Sequence, residues 1–161
     1  MNMSKQDECN NPIPTVDTII HNDSQVLFIK RVKDPFEGKM VFPGGFIKKG
    51  ETAEEAAKRE VKEETSLDIE LDHILGVYSD PARDPRGHIM STVFIGNISP
   101  NSYSKEPIAG DGAAAIKWVS IEDIEQEDFG FDHKKIMKDY KEWKQSKQTS
   151  WSSRSKSKIN E

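Results

Sequence analysis

The sequence predicts an α/β fold, an α/β/α sandwich in which a mixed β-sheet lies between helices. Three observations lead there. Short β-rich runs recur along the chain between turn signals. Two segments with helical composition or spacing interrupt them, one near the middle and one near the end. A Pro-Gly-Gly breaker at 43–45 separates the first strands from the first helix.

Residues 1–12 read as a disordered leader, and their polar sequence lacks the apolar core of a secretory signal. TVDTII (15–20) and SQVLFIKRV (24–32) flank the turn signal HNDS, which predicts a hairpin. KDPFEGK is loop, and MVF (40–42) is a short apolar piece ahead of the breaker. TAEEAAKREVKEETS (52–66) has no Gly or Pro and is rich in Ala, Glu and Lys, so helix is expected. Thr52 and Glu55 match a capping box, the threonine as N-cap and the glutamate three residues on.

IELDHILGVYS (69–79) and HIMSTVFIGNI (88–98) read as strands joined by the polar loop DPARDPRG, and AAIKWVSI (114–121) as another strand. In FDHKKIMKDYKEWK (131–144), Ile136, Tyr140 and Trp143 fall at helical spacing, the pattern of a helix covering a sheet. One domain is expected over 13–144. Residues 145–161 are Ser/Lys-rich, with too few apolar side chains to dock, and are expected to form a flexible tail.

Composition narrows the function. A chain of 161 residues with 34% hydrophobic and 32% charged residues suits one soluble domain, and no apolar run approaches the roughly 20 residues of a membrane span. The single cysteine, Cys9, cannot form an intramolecular disulfide, so a cytoplasmic setting is expected. Residues 1–133 carry a net charge of −11 and residues 134–161 a net of +6. An acidic body with a basic tail suits a holder of metal better than a binder of nucleic acid or membrane.

The stretch REVKEET (59–65) sets Glu60, Glu63 and Glu64 on one helical face, where like charges repel by roughly 0.2–0.5 kcal/mol per pair. A bound hard cation such as Mg²⁺, with Mn²⁺ the alternative, would offset that repulsion, because such ions take oxygen ligands in octahedral array. A solvated charged helix is the plainer reading of REVKEE alone. The wider spacing weighs against it: Gly45, five residues, Glu51, seven residues, Arg-Glu, Val61, Lys62, Glu-Glu, and Leu67 two residues beyond.

That pattern resembles the Nudix box, with Ser66 standing where the family has glycine. A non-glycine residue in the left-handed conformation expected there would cost roughly 1–2 kcal/mol without removing a ligand. The resemblance implies hydrolysis of a nucleoside diphosphate linked to another group. It implies Glu60 and Glu64 as principal metal ligands, Glu63 as a further ligand, and the Gly44 carbonyl beside them. It implies that Arg59 pairs with Glu51 and orients the glutamates.

The segment YSDPARDPRGHIMSTVFIG (78–96), with AGDGAAAIKWVSI and FGFDH downstream, is similar to ADP-ribose pyrophosphatases of that family. The likeness implies cleavage of ADP-ribose to AMP and ribose 5-phosphate. Arg83 and Arg86 are candidates for gripping phosphate or ribose, since guanidinium offers forked donors. Both could equally be surface loop charges. His88 is a third binding candidate, although a structural bond at a strand start is the commoner use. Asp80 and Asp84 read as turn formers.

Asp111, with Glu106 as alternative, occupies the loop where Nudix enzymes carry a further acid, and an Asp-Gly turn is the bland reading. Trp118 and Phe42 could stack on adenine or fill the core. Alternatives of substrate are an oxidised nucleotide, a dinucleoside polyphosphate or NADH. An alternative of class is a non-catalytic ADP-ribose sensor, against which the intact glutamate set speaks. A homodimer is the family analogy.

Overall fold

A computed structural model describes residues 11–150. Strands β1 (Ile13–His21), β2 (Gln25–Arg31), β3 (Met40–Val41) and β4 (Gly44–Phe46) precede helix α1 (Ala53–Thr65). Then come β5 (Ile69–Tyr78), β6 (Ile89–Ile98), β7 (Ala113–Ser120) and helix α2 (His133–Ser146). The sheet runs β3-β2-β1-β6-β5, with β4 paired to β1 and β7 to β2. It is mixed: β1 and β6 are parallel, whereas the other pairings are antiparallel.

The alternation of side chains along each strand builds the two layers. Ile19, Phe28 and Val93 face α2 and pack with Ile136, Tyr140 and Trp143. Their sequence neighbours turn the other way. Ile20 and Leu27 meet Val61 of α1, and Phe94 meets Ala56 and Ala57. A period of two in the strands and one apolar stripe on each helix therefore give a sandwich.

Helix α1 carries the expected capping box, with Glu55 N–H donating to Thr52 Oγ1 and Thr52 N–H donating to the Glu55 carboxylate. It ends at Ser66, whose φ of 63° is left-handed, as glycine would be at that cap.

Three expectations about the chain's organisation change. The Pro-Gly-Gly segment is more than a breaker, because Gly44, Gly45 and Phe46 pair with Asp17, Val16 and Thr15 as strand β4. A Cβ on Gly44 would lie 2.2 Å from the Val16 carbonyl oxygen, so only glycine lets this strand lie so close to β1. Helix α2 continues to Ser146, beyond the boundary expected at 144.

The segment expected to be free from residue 145 is seated as far as Ser150. Ser150 N–H donates to Leu75 O at 2.6 Å and the Thr149 hydroxyl to Ile74 O at 3.3 Å, one backbone and one side-chain bond to β5 that need little apolar burial. The expected leader, except residues 11 and 12, and the rest of the expected tail lie outside the described residues. Among the described residues, no helix is long and apolar enough to cross a membrane.

The left-handed Ser66 generates a test. Ser66→Gly relieves the Cβ clash but frees the unfolded chain, so a net gain of about 0.5–1 kcal/mol is expected. In a chain of this length that corresponds to a rise in Tm of about 1–4 °C in thermal melts. A fall in Tm would show that the serine is stabilising where it stands.

Candidate functional site

A cavity of about 370 Å³ opens between the glycine strand β4, helix α1, the loop after β5 and the entry to α2. Its lining carries charges of both signs. Asp17, Glu60, Glu64 and Asp84 are its acids, and Arg31, Lys48, Arg83 and Arg86 its cations, with Phe46 and Phe131 among them.

The acidic part begins with helical spacing. Glu60 and Glu64, four residues apart, both line the cavity, whereas Glu63 does not. Glu63 turns outward with its side chain 45% exposed and pairs with Arg59 and Lys48. Glu64 is buried, and the Gly44 N–H donates to its Oε2 at 2.9 Å. Gly44, whose carbonyl was expected beside a metal, also contributes its amide, the donor that a buried carboxylate requires. Burial pushes the Glu64 carboxyl up to about 9; Glu60 and Asp17 add to the rise, while the Gly44 amide and Arg31 work against it. Glu60 lies directly against the glycine strand, since a Cβ on Gly45 would come within 2.4 Å of its Oε1.

Arg59 ties this group together. Its Nη1 donates to Glu60 Oε1 at 2.6 Å and to Glu63 Oε2 at 3.2 Å, and its Nη2 donates to Glu51 Oε2 at 2.9 Å and to Phe46 O at 3.1 Å. Glu51 is drawn down to about 2, chiefly by Arg59 and then by the Lys48 N–H, so it stays ionised. The Glu51–Arg59 pair inferred from the motif is thus present as a contact, outside the cavity lining.

Among the described residues, no three His, Cys, Asp or Glu side chains converge in metal-ligating geometry, because Glu60 and Glu63 are turned to Arg59. The donor set nevertheless fits a hard dication. Glu64 is buried and Glu60 half-buried beside a third carboxylate, oxygen donors whose concentrated negative charge a cation would relieve.

The remaining candidates divide. Arg86 lines the cavity, with its side chain 40% exposed. Arg83 also reaches the lining, but its side chain is 4% exposed and its Nε and Nη2 donate to both oxygens of Asp132, at 2.9 and 2.7 Å. Its guanidinium is committed to the fold. His88 lies outside the lining, with its Nε2 3.1 Å from Ser79 O, and bonds the loop at the strand start. Asp111 is exposed and does not line the cavity, and Glu106 is exposed as well. Phe42 is buried and stacks on His133, with ring centroids 4.9 Å apart.

Several site residues were not singled out from sequence: Asp17, Arg31, Asp132, Phe131 and His133. Asp17 is half-buried between the buried Val16 and Thr18 on β1, accepts a hydrogen bond from Ser91 Oγ at 2.5 Å and is pushed up to about 7 by loss of solvent. An acid inside an apolar strand run was the available signal. His133 Nδ1 accepts the Phe42 N–H at 3.0 Å, which leaves Nε2 to carry the proton, 3.7 Å from Asp17 Oδ1. Burial lowers this imidazole to about 3, so it is neutral. Phe131 holds a φ of 52° and its ring lies under the guanidinium groups of Arg31 and Arg86, at 5.1 and 5.5 Å. FGFDH shows the residues but not this packing.

The NUDIX domain family model matches residues 11–140. The chain is 46% identical over 133 residues to an ADP-ribose pyrophosphatase of Methanocaldococcus jannaschii, covering 83% of this chain and 75% of that one. Its fold is similar to a NUDIX hydrolase from Nitrosomonas europaea, at a TM-score of 0.74 and 24% identity over 89% of this chain and 77% of that one. It is similar also to the NUDIX domain of Shewanella oneidensis NrtR complexed with ADP ribose. There the TM-score is 0.72 and the identity 26%, over 88% of this chain and 93% of that one.

The raised Glu64 carboxyl sets a pH dependence. A folded value above the unfolded one stabilises the fold below about pH 4.5, and that stabilisation is lost as pH rises through about 9. In metal-free protein, Glu64→Gln should therefore gain on wild type between pH 6 and 9, by on the order of 5 °C in Tm. Parallel melting curves across that range would show that Glu64 is solvated.

Proposed function

The chain belongs to the Nudix family and is a Nudix pyrophosphohydrolase, and from that premise we propose that it cleaves ADP-ribose to AMP and ribose 5-phosphate with Mg²⁺ or Mn²⁺. One observation supports the reading above others. A single cavity joins a pair of helix carboxylates, one buried and one half-buried, to a cationic and aromatic wall. Such a site can take a metal-bound diphosphate at one side and the rest of the nucleotide at the other.

Glu60 and Glu64 are the residues that would hold the ion, with the Gly44 carbonyl as a further candidate. A bound dication would supply charge neutralisation and an activated water. The chain's own residues do the rest. Arg59 restrains Glu60 and is itself held by Glu51, so the carboxylates reach the site with restricted freedom. Arg86 and Arg31 offer forked donors to phosphate oxygens.

In the hydrolysis, a water oxygen bonds to one phosphorus and the bridging P–O bond breaks. The bridging oxygen leaves with the other phosphate, and the proton lost by the water balances the products. Asp17, a carboxylate in the cavity lining that is not assigned to the ion, is the acid placed to accept that proton. Asp111, exposed outside the lining, is a weaker candidate than its place in the sequence implies.

The test is a panel of ADP-ribose, an oxidised nucleoside triphosphate, a dinucleoside polyphosphate and NADH, compared by kcat/KM with Mg²⁺ and with Mn²⁺. ADP-ribose is expected to lead. If another member leads, the substrate assignment is wrong and the chemistry stands. Glu60→Gln with Glu64→Gln should abolish turnover and remove the rise in Tm given by Mg²⁺. Equal Mg²⁺ stabilisation of wild type and double variant would place the metal elsewhere. Arg86→Ala should raise KM for ADP-ribose on the order of ten- to a hundredfold with a smaller change in kcat, the loss expected of one charge-assisted contact.

A further inference from the structure

Two buried side chains fix the loop at 80–87, Arg83 to a neighbouring segment and Asp84 along the loop itself. Arg83 reaches inward and clasps Asp132 with two hydrogen bonds, at 2.9 and 2.7 Å. Asp132 lies between Phe131 and His133, both of which line the cavity. The ion pair therefore fastens the loop to the segment that carries Phe131 and His133 into the lining.

Asp84, with its side chain 2% exposed, reaches along the loop instead. Its Oδ1 accepts the Arg86 N–H at 2.9 Å and Nε at 3.0 Å, and its Oδ2 accepts Nη2 at 2.8 Å. The Arg86 guanidinium carbon then sits 5.4 Å from the Phe46 ring centre and 5.5 Å from that of Phe131. Nη1 takes no part in those bonds with Asp84. A long, flexible side chain that faces a cavity is thus held by a fork of hydrogen bonds and flanked by two rings.

We propose that Asp84 and the buried Arg83–Asp132 pair are positioning residues for Arg86, fixing its guanidinium in the cavity before a phosphate-bearing substrate arrives. The proposal rests on the reading that the cavity receives a diphosphate. Arginine carries much rotamer freedom, and ordering it in advance removes a cost that binding would otherwise meet. Asp84 also partly neutralises the charge that would attract phosphate. The two effects oppose each other, and KM reports which is larger. Buried carboxylate, double hydrogen bonding and flanking rings favour the ordering effect. Two arginines in one loop therefore have different duties, Arg86 touching substrate and Arg83 building the place where it stands.

The experiment is a double-mutant cycle with ADP-ribose and Mg²⁺. Asp84→Asn keeps the size and the turn acceptor but loses the charged fork. It should raise KM on the order of tenfold and leave kcat within about twofold. In an Arg86→Ala background the same change should move KM by less than about twofold, because the residue it positions is gone. Arg83→Gln with Asp132→Asn should behave in the same way. It also removes both charges together, avoiding the buried unpaired arginine that Asp132→Asn alone would leave.

Additive losses in the Arg86→Ala background would overturn the proposal, as would a KM lowered by Asp84→Asn, which would make the aspartate a competitor for Arg86. If wild type does not turn over ADP-ribose, the functional reading fails separately. The cycle is then read from inorganic pyrophosphate affinity by calorimetry. Arg86→Ala must weaken binding there, and Asp84→Asn must weaken it only when Arg86 is present. Equal affinities for all four proteins would overturn the proposal.

Discussion

Asp17, Glu60 and Glu64 bring three carboxylates to one cavity in a partly water-free setting, and like charges there must be offset by something close at hand. Much of the local architecture follows from that requirement. The glycine strand supplies a bare N–H to Glu64 and lies against Glu60, which a side chain at Gly45 would displace. Arg59 holds Glu60, and Glu51 holds Arg59 from the other side. Ser91 donates to Asp17. A dication fits this surplus of negative charge, and the Nudix box is the sequence pattern that maintains it.

The packing serves the same end. Helix α1 reaches its position because Ala56 and Ala57 are small enough to lie against Val16 and Phe94. That close approach sets the Glu60 and Glu64 carboxylates beside β1 and β4. Gly44 and Gly45 permit the strand to run between helix and sheet. Exchange of small residues for larger ones in these places would act on chemistry through distance, with every charged group still present.

The cationic wall follows a different logic. The protein sorts its positive groups there by pairing. Arg83 is neutralised by Asp132 deep in the fold, Arg86 is held by Asp84 yet remains partly open, and Arg31 is placed over the Phe131 ring. Phe131 accepts a left-handed backbone at its position, a conformation that costs of order 1–3 kcal/mol and persists where surrounding structure demands it. Its ring is the surface on which Arg31 and Arg86, two of the three cavity arginines, rest.

The sequence by itself determined the five longer strands, both helices, the capping box and the family, because each rests on local periodicity or on a fixed spacing within or beside one helix. The gaps from Gly45 to Glu51 to Arg59–Glu64 are short, and helical geometry converts them directly into neighbours in space. Tertiary structure alone decided which residues complete the cavity. Asp17, Arg31, Phe131 and His133 come from β1, β2 and the entry to α2, and no local rule predicts their meeting. It also decided that Arg83 and Arg86, three residues apart in one loop, face different partners, that His88 and Asp111 stand outside the lining, and that Gly44–Phe46 is a strand. The reason is physical: pairing across the sheet and burial of charge depend on residues distant in the chain, and spacing along one segment carries no information about them.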